Sequence, residues 1–479
     1  MENNNSRVLS NLIWRFLERS GAQLVTFVVS IILGRILSPD DYGQIALITV
    51  FITIFNVFID NGIGNALIQK KEADQLDFST VFFFNFVFCL VIYISLFLCA
   101  PLIGEFYNDD SLITLTRVLG TTIIISSLKN IQQAYVSKQL MFKKFFFSTL
   151  IGTIVSAIVG IVLAKVGVGA WAIVAQHLTN AIIDTFILWI TVKWRPSFKF
   201  SFDRLKGLFT YGYKLMLSAL MNTLYNNFRQ LVIGKYYSSS DLALYNRGQQ
   251  FPQLIIQNIN TSIDSILFPV MSNAQDEKIK IKQMLHKSIT VSSFILWPIL
   301  IGMMAIANPL ISVLLTDKWI GCVPYLYFFT IMYITHPIQT ANLNAIKAVG
   351  RSDIFLKLEI IETIFGLGLF ILVVRVGPIW IAAMSAIASL FNVILITHFT
   401  GKMFEYGFVE QIRDIFPTLI NSIIMGSFVY LETLLIKDNI FLIFYVFSGM
   451  IYYIIGAKIM KIRELNECFG ILKKLLYKK

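Results

Sequence analysis

Five polar side chains recur along one face of an otherwise apolar segment. Lys214, Ser218, Asn222, Asn226 and Arg229 follow at steps of four, four, four and three residues, which stacks them on one side of a helix. The next segment repeats the device with Asn246, Gln250, Gln253, Gln257, Asn260 and Asp264, and Arg247 stands among them. Ammonium and guanidinium groups bind phosphate or diphosphate through charge-assisted hydrogen bonds. Amides and the nearby rings of Tyr211, Tyr213, Tyr225 and Tyr245 suit sugar hydroxyls and sugar faces. The chemistry is that of binding an anionic, hydroxyl-rich molecule.

A polar stripe facing lipid would leave its hydrogen-bonding groups unsatisfied, so both stripes are expected to face an internal cavity or partner helices. Near the N-terminus Asn11, Arg15, Glu18 and Arg19 gather in one segment, and Thr49, Thr53, Asn56 and Asp60 align in the next. These four segments are expected to line one central cavity, with Arg15, Arg19, Lys214, Asn222, Asn226, Arg229, Arg247, Gln250, Gln253 and Gln257 as its binding residues. Bland readings stand beside this one. Arg15, Arg35, Lys214 and Arg247 lie close enough to an interface to snorkel. Arg15 with Glu18, or Arg19 with Asp60, would serve equally as structural ion pairs, and Asn and Gln are ordinary interhelical glue.

The elements that must carry these residues are membrane spans. Of 479 residues, 56% are apolar and 14% charged, and the mean hydropathy is +0.71, outside the range of soluble globules. About 14 transmembrane helices fit, near 12–37, 42–68, 78–104, 111–134, 145–165, 169–192, 208–233, 242–270, 288–315, 320–346, 354–375, 378–400, 415–436 and 439–460. The first reads as a retained helix, since it runs past the length of a signal segment, lacks a small-x-small cleavage site and ends in Arg35 and Pro39.

Charge gives the expected orientation. With the N-terminus inside, 27 of the 40 Lys and Arg fall in cytoplasmic segments and only five in outside loops. The net charge of +12 then belongs mainly to the inner membrane surface, with acidic lipids rather than nucleic acid as neighbours. Both termini are expected to be cytoplasmic, and the tail from Lys461 to Lys479 is basic and amphipathic. Cys89, Cys99, Cys322 and Cys468 form no CxxC pair, and His177, His286, His336 and His398 are dispersed, so neither a disulfide framework nor a metal site is expected.

The chain also repeats. Gly34, Arg35 and Asp41 recur as Gly234, Lys235 and Asp241, at the end of the first span of each six-span block. The expected fold is an all-α polytopic membrane protein of two six-helix lobes in parallel repeat, residues 1–200 and 201–401, with two extra C-terminal helices and the tail in 402–479.

The runs GRILSPDDYG (34–43), QQAYVSKQLMFKK (132–144), GVGAWAIVAQ (167–176), Trp194-Arg195-Pro196, YNRGQQFP (245–252), LFPVMS (267–272) and Asp317-Lys318-Trp319 with Pro324 resemble bacterial polysaccharide flippases. Their branch is that of lipopolysaccharide, O-antigen and colanic-acid exporters in the multidrug/oligosaccharidyl-lipid/polysaccharide exporter superfamily. The resemblance implies alternating access and movement of undecaprenyl-diphosphate-linked oligosaccharide across the bacterial inner membrane for O-antigen, capsule or exopolysaccharide synthesis. It implies no catalysis and no cofactor, membrane lipids and other polysaccharide assembly proteins as partners, and a cationic cavity at Arg15, Arg19, Arg229, Lys214 and Arg247. The second span has no basic residue in its core, so Arg117 or Lys129 would have to supply that part of the lining. Coupling to H+ or Na+ would use a buried carboxylate whose ionisation differs between states, for which Glu18, Asp60, Asp264, Glu359 and Glu362 are candidates. A cation-coupled drug antiporter would be expected to have a net acidic cavity. A membrane-embedded polymerase or glycosyltransferase would be expected to carry a sizeable outside loop with catalytic groups.

Overall fold

The computed structural model describes Trp14 and residues 21–60, 63–70, 72–436 and 441–477. Among them there are helices and no strands, because backbone groups in hydrocarbon must be satisfied within the segment. In order these are α1 (Gly21–Ile36), α2 (Pro39–Asp60), α3 (Ile63–Gln69), α4 (Gln75–Tyr107), α5 (Ser111–Lys138), α6 (Phe142–Val166), α7 (Trp171–Thr191), α8 (Phe202–Tyr236), α9 (Ser239–Ser272) and α10 (Lys278–Ala305). There follow α11 (Ala307–Leu315), a 3-10 turn (Asp317–Cys322), α12 (Val323–Ile334), α13 (His336–Ala348), α14 (Ser352–Val373), α15 (Pro378–Phe404), α16 (Phe408–Leu435), α17 (Leu442–Ile459) and α18 (Arg463–Tyr477).

Nine helices among the described residues are long and apolar enough to cross a membrane: α2, α4, α5, α6, α7, α10, α15, α16 and α17. The chain is a multi-pass membrane protein, and side chains such as Leu98, Ile371 and Leu435 stand exposed on its helices for lipid to cover. The expected count of fourteen is larger for physical reasons. Helices α8 and α9 have 35 and 34 residues but are interrupted by their polar stripes. Helix α14 carries Asp353, Lys357, Glu359 and Glu362. The expected span 320–346 is divided between α12 and α13 at Thr335, and the first is described only from Gly21.

Contacts group the chain into two compact units, Met1–Ala243 and Leu244–Lys479. The lobe boundary read from the repeat, at 200/201, divides the sequence; the packing boundary falls later, because α8 packs on α2, α3 and α4. In the first unit the core gathers at one end around Trp194, with Phe78, Phe82, Ile131 and Leu188. That end is basic. Lys70 and Arg204 both reach the fully buried Asp77, at 2.7 and 3.2 Å, and Lys138 Nζ donates to the Leu67 carbonyl at 3.1 Å. Asp74 caps α4 by accepting from the Asp77 amide at 3.0 Å, and Asp77 returns the bond to the Asp74 amide at 3.1 Å, a capping box.

In the second unit one core surrounds Trp297, whose indole donates to the Ile334 carbonyl at 2.8 Å. A buried polar knot ties α13, α15 and α16 together: Asn342 and Gln411 exchange hydrogen bonds of 2.8 and 3.0 Å, and Thr400 donates to Asn342 at 2.6 Å. All three are fully buried, where a satisfied network is specific and an unsatisfied one costly. On α18, Leu465 and Cys468 pack on Phe294 and Tyr453, and Lys287 pairs with Glu467 at 3.3 Å.

Candidate functional site

The periodicity of α8 produces two faces. Ser201 caps its start by accepting from the Arg204 amide. Along its second half, Asn222 and Asn226 stand exposed and hydrogen-bonded to each other, one turn apart. Arg229 follows on the same side, half-buried, and has no hydrogen-bond or ion-pair partner among the described residues. A guanidinium offers five donors in a planar fork, and the two amides beside it add further donors and acceptors. This face can hold an anionic group next to hydroxyls. The side chain of Lys214 and all of Arg15, Glu18 and Arg19 lie outside the described residues.

On α9 the stripe is divided between different tasks. Arg247 is 5% exposed, its Nη1 donates to Gln250 Oε1 at 2.6 Å, and its guanidinium carbon lies 5.2 Å from the centre of the Trp319 ring. Arg247, held by Gln250 of its own helix, thus joins α9 to the 3-10 turn, and YNRGQQFP meets Asp317-Lys318-Trp319 at this contact. Gly248 makes the same joint at backbone level: a Cβ there would come within 2.8 Å of the Cys322 carbonyl oxygen. Gln253 is half-buried and Gln257 exposed. Farther on, Asn260 Nδ2 donates to Thr340 at 3.1 Å, and Asn344 Nδ2 donates to Asp264 at 2.5 Å. The partners advance by four residues on both helices, so this part of the stripe is a hydrogen-bonded seam between α9 and α13, the gluing role that amides play between membrane helices.

Of the carboxylates proposed for ion coupling, the described ones each take a separate environment. Glu18 and the side chain of Asp60 lie outside the described residues. Asp264 is exposed and held by Asn344; Glu362 is half-buried and accepts from Asn392 Nδ2 of α15 at 2.7 Å; Glu359 is exposed on α14. Among the described residues no three His, Cys, Asp or Glu come together as metal ligands.

Arg117 and Lys129, the expected substitutes for a cationic lining, are both held by neighbouring helices. Arg117 stacks on Phe97 at 4.4 Å. Lys129 Nζ of α5 pairs with Asp184 Oδ2 of α7 at 2.9 Å, and Asp184 is 5% exposed with its other oxygen buried and unpartnered. The pairing left no short-range mark, because its members are 55 residues apart. Gln132 and Trp194-Arg195-Pro196 prove structural: Gln132 donates to the Trp194 carbonyl at 3.1 Å, and Tyr135 stacks on the Trp194 ring at 6.2 Å. The glycines of GVGAWAIVAQ also have a backbone reason. Gly167 and Gly169 adopt φ of +86° and +60°, which glycine tolerates best, and a Cβ on Gly169 would lie 2.8 Å from Asp41 Oδ1.

Comparison with known proteins places this architecture. The profile of a family described as "Polysaccharide biosynthesis protein" matches residues 32–324. The teichuronic acid biosynthesis protein TuaB of Bacillus subtilis is 23% identical over 396 residues, 81% of each chain. The succinoglycan biosynthesis transport protein ExoT of Rhizobium meliloti is 24% identical over 75% of this chain and 73% of its own. The lipopolysaccharide biosynthesis protein WzxC of Escherichia coli is 23% identical over 69% and 68%. In structure, the inward closed conformation of the lipid II flippase MurJ superposes with a TM-score of 0.72 at 15% identity, over 94% of this chain and 98% of that one. An inward-facing multidrug resistance MATE transporter gives 0.63 over 80% and 94% at 14% identity. The fold is that of these all-helical transporters.

Proposed function

Because the chain belongs to the family of polysaccharide biosynthesis proteins, we propose that it is a flippase for lipid-linked oligosaccharide. It carries undecaprenyl-diphosphate-linked repeat units from the cytoplasmic to the periplasmic leaflet of a bacterial inner membrane, by alternating access, for surface polysaccharide synthesis. The protein is a transporter and breaks no bond. Its basic end faces the cytoplasm, as do both termini, and other polysaccharide assembly proteins receive what it delivers.

One observation carries this reading: the open Asn222, Asn226 and Arg229 face on a helix that otherwise belongs in hydrocarbon. The barrier to moving a glycosylated diphosphate across a bilayer is the loss of its hydration. A guanidinium and amides along one helix face replace part of that hydration while most of the tail stays in lipid. Gln253 and Gln257 on α9, and Arg15 and Arg19 near the N-terminus, carry groups of the same chemical kind. Proton or sodium coupling assigns the driving force to Glu362, whose bond from Asn392 holds a half-buried carboxylate between α14 and α15, or to Asp264.

The test is flipping of a fluorescent undecaprenyl-diphosphate oligosaccharide in proteoliposomes, read as the fraction accessible to an added glycosidase. Wild-type protein should render both leaflets' label accessible. Arg19→Ala and Arg229→Ala should insert normally and flip at least tenfold more slowly. Wild-type rates in both variants would rule out the cationic route.

A further inference from the structure

Between α2, α4 and α8, within the first unit, lies an apolar cavity of about 480 Å³ walled mostly by rings, with Leu205 and Met216 beside them. Phe58 of α2, Phe84 and Phe88 of α4, and Phe202, Phe209 and Tyr213 of α8 line it. The rings are ordered against each other: Phe84 stacks on Phe88 at 5.7 Å, Phe209 on Tyr213 at 6.0 Å, and Phe58 meets Phe88 at 6.2 Å. Gly212 contributes no side chain to the same wall, which leaves room between Phe209 and Met216.

Depth decides what can fill it. Phe84 and Phe88 stand nine and thirteen residues along α4 from the Gln75 end, about 14 and 20 Å at the helical rise of about 1.5 Å per residue. The cavity thus lies in the half of the membrane near the basic end, where the neighbouring medium is hydrocarbon. An apolar cavity there holds no bound water, since water needs several polar partners, and it takes a hydrocarbon chain. At its wall one group is charged: Lys206, exposed and one turn before Phe209. An ammonium beside an apolar chain site suits a lipid whose first polar group is a phosphate.

Helix α8 also separates two chemistries. Ser218 follows Phe209 by nine residues, about two and a half turns, so the stripe continuing through Asn222, Asn226 and Arg229 runs on the side opposite the rings. One helix offers an aromatic chain site on one face and a polar face on the other. We propose that this pocket seats the isoprenoid segment next to the diphosphate of the transported lipid, with Lys206 contacting the diphosphate at the basic end. This assignment rests on the flippase reading and adds where the tail is held.

The experiment uses the full-length protein in nanodiscs of phosphatidylethanolamine and phosphatidylglycerol, with a diazirine-bearing geranylgeranyl diphosphate as the probe. After illumination, label is expected on peptides of α2, α4 and α8. Unlabelled undecaprenyl diphosphate should remove it at a concentration at least tenfold below that of geranylgeraniol, and inorganic pyrophosphate alone should leave it in place. Two separate filling variants, Phe84→Trp and Met216→Trp, should cut labelling at least fivefold while eluting as monodisperse protein, and Lys206→Ala should remove the preference for diphosphate over alcohol. Label confined to other helices overturns the proposal. So does equal displacement by added phosphatidylglycerol, which would make the pocket an ordinary lipid site. Parallel flipping assays keep the two readings apart. Flipping by wild type with label elsewhere overturns the pocket and leaves the flippase reading standing, whereas pocket labelling without flipping supports the pocket and overturns the flippase reading.

Discussion

Gly43 and Ser239 meet backbone to backbone: a Cβ on Gly43 would overlap the carbonyl of Ser239. Helix α2 and the start of α9 can approach this closely only because residue 43 has no side chain. Around this contact Tyr107 reaches the Leu231 carbonyl at 3.4 Å, and Lys235 lies 4.2 Å from the Phe106 ring. These residues pack together at the end of the first unit opposite its basic cluster. Gly43→Ala must therefore push the two backbones apart, at an overpacking cost of about 1–3 kcal/mol. In a Ser239→Cys background it should also raise labelling by a membrane-impermeant maleimide several-fold, and unchanged labelling would show that this contact does not seal the end.

The two copies of the repeat fold alike. Ser38 Oγ donates to Asp41 Oδ2 at 2.6 Å while the Asp41 amide donates back at 3.2 Å; Ser238 and Asp241 repeat the pair at 2.7 and 3.0 Å. Each satisfies an orphan amide at a helix start, so Asp41→Ala and Asp241→Ala should each cost about 1 kcal/mol in thermal unfolding. Since the Gly43 to Ser239 contact joins the two helix starts, the double variant should depart from additivity by about 0.5 kcal/mol or more. Strict additivity would mean the caps act independently.

Removing one member of the Lys129 and Asp184 pair strands a buried charge. Lys129→Met is expected to destabilise by about 3–5 kcal/mol, and Lys129→Met with Asp184→Leu to regain most of it. Detergent-solubilised melting curves would decide. A double variant no better than the single would indicate that the pair is needed for more than neutralising charge, for which the unpartnered Asp184 oxygen gives the reason.

Arg229 distinguishes charge from geometry. If the polar face of α8 binds a diphosphate through two parallel N–H donors, Arg229→Lys keeps the charge but loses the fork. The lysine variant should flip at a rate between wild type and Arg229→Ala. A lysine variant at the alanine rate would assign the effect to the fork alone, and one at the wild-type rate to charge alone.

The cap of α4 predicts a pH dependence. The backbone amide of Asp77, and after it Arg204, hold the Asp74 carboxyl below its ordinary value near 3.8. A carboxyl depressed in the folded state contributes stability that is complete above the unfolded value and is lost as pH falls through the folded one. Asp74→Ala should therefore lower the melting temperature at pH 7 and converge on wild type as pH falls below about 4. A constant difference down to pH 3 would exclude ionisation as the source.

Two kinds of feature were legible in the sequence because each lies on the surface of one helix. Hydropathy marked the apolar segments, and steps of three and four residues marked the polar face at Asn222, Asn226 and Arg229. The recurrence of Asp41 as Asp241 stood in the sequence as well, but that each aspartate pairs with a serine three residues before it came from the structure. The tertiary structure alone decided which helices meet. It assigned Arg247 to Trp319, Lys129 to Asp184, and Asn260 with Asp264 to α13, where stripe periodicity alone did not separate a cavity lining from an interhelical seam. It also packed α8, the opening helix of the second repeat, onto α2, α3 and α4. The aromatic pocket arises there and nowhere in the linear order, because its rings come from three helices up to 155 positions apart. Periodicity records which way a side chain points from its own axis; what it points at depends on a second helix far away in the chain.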